Sequence, residues 1–161
     1  MKNYKVMIVD DEAEVREGIV ARLDWGGLGF EVVAEAENGL EAIEKAEANE
    51  VDLLLTDIKM PFMDGLTMIA EFRTLHPSAK IVILSGFDDA DYARQAIKLG
   101  VTEYALKPIN AEELTCVLSR MRMQLEREYS EKLDIAALRE QYERALPAIR
   151  ERFLSELLWR R

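Results

Sequence analysis

The sequence predicts an α/β fold, a doubly wound parallel sheet with a helical extension at its C-terminal end. Three observations carry that prediction. Short apolar runs alternate five times with segments of helical period, and such alternation argues for a parallel sheet covered on both faces. Each run stops abruptly at turn or polar chemistry: Asp10-Asp11-Glu12, Asp57, Ser85-Gly86 and Lys107-Pro108. The chain is 49% apolar and 32% charged, ordinary for a soluble globular protein, and no apolar run approaches the roughly 18 residues of a membrane span.

The elements follow in order. Tyr4 to Val9 reads as the first strand, through the run Val6, Met7, Ile8, Val9. Val15, Ile19, Val20 and Leu23 are spaced as on a helix, which Trp25-Gly26-Gly27-Leu28-Gly29 breaks. Phe30 to Ala34 is the second strand, and Asn38-Gly39 a turn or helix entry. Leu40, Ile43 and Ala46 mark the second helix. Asp52 to Thr56 is a third, fully buried strand, ending at Asp57. Gly65 opens a third helix with Leu66, Ile69 and Phe72 inward, closed by His76-Pro77. Lys80 to Leu84 is the fourth strand; Tyr92, Ala93, Ala96 and Ile97 mark the fourth helix, ended by Gly100 as a C-cap. Glu103 to Leu106 is a short fifth strand, and the fifth helix begins at Glu112.

Right-handed crossovers place the C-terminal ends of all parallel strands on one edge, where ligands of such sheets bind. Asp10, Asp11, Asp57, Ser85 and Lys107 therefore converge there, although the strand order is not readable from the residues. Two carboxylates about 4 Å apart repel by roughly 4 kcal/mol at an effective dielectric near 20. A hard cation such as Mg²⁺, which takes one or two carboxylates together with phosphate oxygens, relieves that repulsion. The main-chain carbonyl of Lys59 is a further candidate oxygen. One potential nucleophile (Asp57), one metal, one cation (Lys107) and one hydroxyl (Ser85) suffice for phosphoryl transfer, whose catalysis is mostly positioning and charge neutralisation. Taken singly, each motif has a plainer reading. Asp-Asp-Glu after a strand caps a helix, Asp57 and Ser85-Gly86 are turn residues, and Lys-Pro is common. Their coincidence at successive strand ends is what points to a site.

These motifs resemble the receiver domain of two-component response regulators: Val-Asp10-Asp11-Glu12, Asp57-Ile-Lys-Met-Pro61-Phe-Met-Asp64-Gly65, Leu-Ser85-Gly86 and Tyr104-Ala-Leu-Lys107-Pro108. The resemblance covers roughly residues 3–126. It implies a flavodoxin-like (βα)5 sheet of order 2-1-3-4-5. It also implies that Asp57 accepts a phosphoryl group from a phosphohistidine of a sensor histidine kinase. Asp11 would hold Mg²⁺ directly and Asp10 through water, and Lys107, followed by a cis bond to Pro108, would contact the phosphoryl oxygens. Ser85 and Tyr104 form the implied switch; Tyr104 taken alone is a half-buried strand aromatic. The consequence would fall on the face made by the fourth helix, fifth strand and fifth helix, a candidate dimer surface. Pro61 and Gly65 are structural members of the motif, and Lys59 and Phe87 stand where the family tunes phosphoryl lifetime. Trp25 with Leu28-Gly29-Phe30 resembles a feature of regulators of the AraC-type, YesN-like subclass, while a plain packing role serves Trp25 equally.

Charge divides the chain. Residues 127–161 carry eight Lys/Arg and seven Asp/Glu, leaving 13 basic and 24 acidic residues in the first 126. A body this acidic repels a phosphate backbone, so no direct nucleic-acid binding is expected of it. The single cysteine, Cys116, reads as a small core residue and fits a cytoplasmic setting, as does the absence of a signal-peptide pattern. The only histidine, His76, reads as structural.

Beyond residue 126 apolar residues continue at Tyr129, Leu133, Ile135, Leu138, Tyr142 and Leu146, but Glu128, Lys132 and Arg139 interrupt the heptads. The expectation is a receiver over 1–126 and a helical linker over 127–161. That linker is a possible coiled coil and a second candidate dimer surface, kinked at Pro147 and leading to an output domain absent from this sequence. Past the proline, Ile149, Phe153, Leu157 and Leu158 would share one side. Three other readings compete. A Mg²⁺-dependent phosphohydrolase could use Asp57 as nucleophile, but a haloacid-dehalogenase-like enzyme needs an acid where Lys59 stands. A flavin-binding module needs a phosphate loop where Asp10-Asp11-Glu12 would repel phosphate. A scaffold with a degenerate site does not need so complete a set.

Overall fold

The computed structural model describes residues 2–86 and 90–159. Five strands, β1 (Tyr4–Val9), β2 (Phe30–Ala36), β3 (Leu53–Thr56), β4 (Lys80–Ser85) and β5 (Glu103–Leu106), form one sheet of order β2-β1-β3-β4-β5. All pairings are parallel, with Val9 opposite Thr56, Thr56 opposite Ile83 and Ser85 opposite Leu106. The helices are α1 (Ala13–Arg22), α2 (Trp25–Leu28), α3 (Gly39–Ala48), α4 (Gly65–Leu75), α5 (Ala90–Lys98) and α6 (Ala111–Trp159).

Alternation along the strands fills both faces. Met7, Val9, Leu54, Ile81 and Ile83 join one buried cluster with Ala42 and Ala46 of α3, Met68, Ile69 and Phe72 of α4, and Ala96 of α5. The intervening residues Ile8, Leu55, Val82 and Leu84 are equally buried and point the other way. Leu114, Val117, Leu118 and Met121 of α6 are buried as well. The inward set expected for the third helix, Leu66, Ile69 and Phe72, is buried as expected.

Several expectations are corrected. The Trp25-Gly26-Gly27-Leu28 stretch is a helical turn rather than a simple break: Asp24 accepts from the Gly27 amide at 3.1 Å. Gly29 ends it with φ 86°, a left-handed conformation that suits glycine. Trp25 packs inside, its Nε1 donating to the Val20 carbonyl at 3.1 Å. Cys116 is exposed, not core; at 100° per residue it lies about 200° from Leu114, on the side away from the inward stripe. Leu40 is 51% exposed, because Ala42 and Ala46, not Leu40, face inward on α3. His76 is structural as expected, its Nε2 2.7 Å from the Ala46 carbonyl and its ring beside Phe72.

The chain divides into two compact units, Met1–Met123 and Gln124–Arg161. In the second, α6 continues through Pro147, where a kink was expected. Proline lacks the N–H that would bond the Glu143 carbonyl, so one rung is lost, but the flanking turns stay helical. Leu133, Ile135, Leu138 and Tyr142 are all more than half exposed. The side chains of Ile149, Phe153, Leu157 and Leu158 lie outside the described residues. No described helix is long and apolar enough to cross a membrane.

Candidate functional site

The parallel ladder assembles the site. Where β1 ends, the Asp10 amide donates to the Ala36 carbonyl of β2. Where β3 ends, the Asp57 amide donates to the Val9 carbonyl at 2.9 Å, and the Lys107 amide donates to the Ser85 carbonyl at 2.8 Å. The residues one step past β1, β3 and β5 are thus fixed by their own main-chain amides, each bonded to the last residue of a neighbouring strand.

Side chains complete the arrangement. Lys107 Nζ lies 2.5 Å from Asp10 Oδ2 and 3.2 Å from Asp57 Oδ2, bridging two carboxylates brought from 97 and 50 residues away. Asp57 Oδ1 accepts from its neighbour's amide, Ile58, at 2.7 Å. Thr56 Oγ1 donates to the Asp57 carbonyl at 2.8 Å. Burial drives the Asp57 carboxyl above the usual carboxylate range; the Lys107 charge and the Ile58 amide oppose that and Asp10 adds to it. Burial pulls the Lys107 ammonium down, but its hydrogen bond to Asp10 and the charges of Asp10 and Asp57 outweigh this, and its pKa rises. Lys107 is therefore a fixed cation held between two acids.

The capping reading of Asp10-Asp11-Glu12 is not met. Glu12 is the N-cap of α1 and makes no side-chain cap bond. Asp10 Oδ1 accepts from the Glu12 amide at 3.0 Å, which turns the carboxylate toward the sheet edge and Lys107. Among the described residues, the acids whose oxygens gather within 4.8 Å of one another are Asp10, Asp11 and Glu12. Glu12 was not among the expected ligands; its place in the acidic run was the only sequence signal for it. Asp57 joins this trio through Lys107. An all-oxygen set of hard donors fits Mg²⁺.

The remaining predicted residues fall around this centre. Ser85 is fully buried at the end of β4. Tyr104 is half-buried on β5 and packs against the main core cluster. The Lys59 ammonium sits 5.9 Å from the ring centre of Tyr92 on α5. Pro61 is exposed in the β3–α4 loop, and its carbonyl accepts from the Met63 amide at 2.8 Å. Gly65 is where that loop folds back: its amide donates to the Ile58 carbonyl at 2.6 Å, and a Cβ there would lie 2.4 Å from the Asp57 carbonyl oxygen. Asp64 caps α4 by accepting from the Thr67 amide at 2.8 Å. The Lys107–Pro108 bond is cis. Between Pro61 and Gly65, Phe62 has φ 71° and is 84% exposed, a left-handed residue without glycine's freedom. Phe87 lies outside the described residues.

Comparisons with known proteins identify the family and agree with the fold. The model of the response regulator receiver domain family matches residues 6–119. An uncharacterized transcriptional regulatory protein of Bacillus subtilis, YesN, is 33% identical over 155 residues, 96% of this chain and 42% of its own length. The REC domain of AraT, a response regulator from Geobacillus stearothermophilus, is 44% identical with a TM-score of 0.74, covering 78% of this chain and 98% of that one. A two component transcriptional regulator, AraC, from Clostridium phytofermentans is 32% identical with a TM-score of 0.72, covering 78% of this chain and 97% of that one. The chain spans less than half the length of the curated relatives it matches. The chain belongs to the response regulator receiver domain family of two-component systems, and its relatives include YesN-like, AraC-type regulators.

Proposed function

We propose that Asp57 is the phosphoryl acceptor of this receiver and that a sensor histidine kinase is the donor. The observation that carries this reading is the Lys107 ammonium bridging Asp10 and Asp57 at the sheet edge. An Asp57 oxygen attacks the phosphorus of a phosphohistidine, the P–N bond breaks, and its electron pair stays on the imidazole nitrogen, which takes up a proton. Lys107 holds a positive charge where phosphoryl oxygens arrive. Asp10, Asp11 and Asp57, with the Lys59 carbonyl, would hold Mg²⁺, which supplies neutralisation of charge on the transferring group. A cleft of about 530 Å³, lined among others by Val15, Ile19, Leu84, Lys107 and Pro108, opens onto Lys107 and supports entry of a partner there.

Phosphorylation adds about −1.5 to −2 charge. Ser85 would bond the phosphoryl group and Tyr104 would turn inward behind it, changing the face of α5, β5 and α6. Transcriptional output would come through a DNA-binding domain, and dimerisation through that face or through the segment 127–161, with Pro147 as a bend. The acidic first unit itself would not bind DNA. A cytoplasmic setting suits a kinase partner. A phosphohydrolase using Asp57 finds no support: the relatives above are regulators.

The test is incubation with acetyl phosphate and Mg²⁺ followed by mass spectrometry. One phosphoryl group on Asp57, lost in Asp57→Asn, is expected. Absence of both labelling and Mg²⁺ affinity would sink the receiver chemistry, and rapid turnover of many phosphate esters would favour the hydrolase. For the tail, sedimentation should show more self-association with residues 127–161 than without; equal mass distributions would remove the coiled-coil assignment.

A further inference from the structure

We infer that Arg16 is a positioning residue for the acidic site, setting its Mg²⁺ affinity by holding the main chain of Asp10. The inference rests on the reading of Asp10, Asp11 and Asp57 as the cation site. Arg16 lies one turn into α1, and its Nη1 donates to the carbonyl of Asp10. Its Nε is buried, has no hydrogen-bond partner, and stands 3.7 Å from Glu35 Oε1 on β2, within ion-pair range. The side chain is only 15% exposed. A largely buried guanidinium with an unpaired N–H is costly; aiming it at a site acid's carbonyl ties α1 to the end of β1.

With this bond every acceptor of Asp10 is engaged. Oδ1 takes the Glu12 amide, Oδ2 takes Lys107, and the carbonyl takes Arg16. The carboxylate direction is then set by three elements at once: the β1–α1 turn, β5 through Lys107, and α1 through Arg16. Groups that orient metal ligands from behind carry much of the affinity. Glu35 in turn steers Arg16, and the Glu35 carbonyl is itself held by Lys45 of α3.

Charge and positioning predict opposite signs, which makes the role testable. Arg16 is a cation near a cation site, so removing its charge alone would tighten Mg²⁺ binding. Losing the grip on Asp10 would weaken it. The experiment is calorimetric titration of the full chain with MgCl2, with acetyl-phosphate labelling rates measured across Mg²⁺ concentrations. Wild type, Arg16→Ala, Arg16→Lys and Glu35→Gln are compared, with circular dichroism as the folding control. Arg16→Ala should weaken Mg²⁺ roughly tenfold. Arg16→Lys keeps the charge without the planar fork and should weaken it severalfold. Glu35→Gln should shift it in the same direction by less. Labelling should slow at low Mg²⁺ and recover at saturating Mg²⁺, a split that general destabilisation does not produce. Affinity in Arg16→Ala or Arg16→Lys equal to or tighter than wild type overturns the inference. If Arg16→Ala does not fold, Arg16→Lys and Glu35→Gln decide it by the same criterion. Failure of the wild type to bind Mg²⁺ or take label would instead refute the site assignment itself.

Discussion

The end of β3 and the second half of α6 teach opposite lessons about what holds a side chain in place. Asp57 is fixed by its own amide on Val9, by Ile58, by Thr56 and by Lys107. Leu133, Ile135, Leu138 and Tyr142, all apolar, stand more than half exposed on a helix. At the sheet edge polar groups are buried and over-determined; on the tail apolar groups are open. The first is a site whose geometry exists before any partner arrives. The second is an apolar face left open to solvent, and a lone helix gains little stability without packing.

Four mutations sharpen or break that contrast. Phe72→Ala, emptying a fully buried position, should cost about 3–5 kcal/mol in urea unfolding. Gly65→Ala should cost about 1–3 kcal/mol, as overpacking does. Its Cβ would meet main chain at 2.4 Å and 2.7 Å, at Asp57 and Ile58, so labelling of Asp57 should fall with it. A mild effect on both would show that the β3–α4 loop is softer than its bonds suggest.

Asp57→Asn should be more stable than wild type at neutral pH in chelator. The carboxyl is raised in the folded state by burial, so the native state binds the proton more tightly than the unfolded chain. Wild-type stability therefore falls as pH rises from the ordinary carboxylate value, near 4, through the raised folded value. The asparagine variant lacks that loss, and thermal melts of the two should converge below about pH 4. A variant less stable at pH 7 would mean that the Lys107 bridge outweighs burial. Smallest of all, Leu138→Ala should change unfolding of the first unit by less than about 0.5 kcal/mol while reducing concentration-dependent helicity. A larger effect on the first unit would break the contrast.

Much of the site was legible because its residues sit one step beyond strands that announce themselves. Asp57 follows three leucines and a threonine, and Lys107 follows β5. Once the sheet is parallel, both positions must share an edge. Glu12 and Arg16 were less legible: Glu12 reads as helix entry, and Arg16 as one charge among several on a helix with no buried residue. Their roles depend on how α1 leaves β1, which no spacing encodes. Cys116 was misread for a related reason, since apolar neighbours say that a helix has an inner face but not which residues straddle it. The helical turn at Trp25-Leu28 was missed because two glycines argue against helix, and the Asp24 cap with Trp25 burial outweighs them.

By itself the sequence determined the alternation of strands and helices, the acid, hydroxyl and lysine at the strand ends, and the charge contrast between body and tail. These are local properties, written in period, turn chemistry and composition. The tertiary structure decided the order β2-β1-β3-β4-β5 and the bridge of Lys107 between Asp10 and Asp57. It also decided the turn of Asp10 away from capping α1 and toward Lys107. Those features arise between residues far apart in the chain, where distance and burial, not spacing, set the energy.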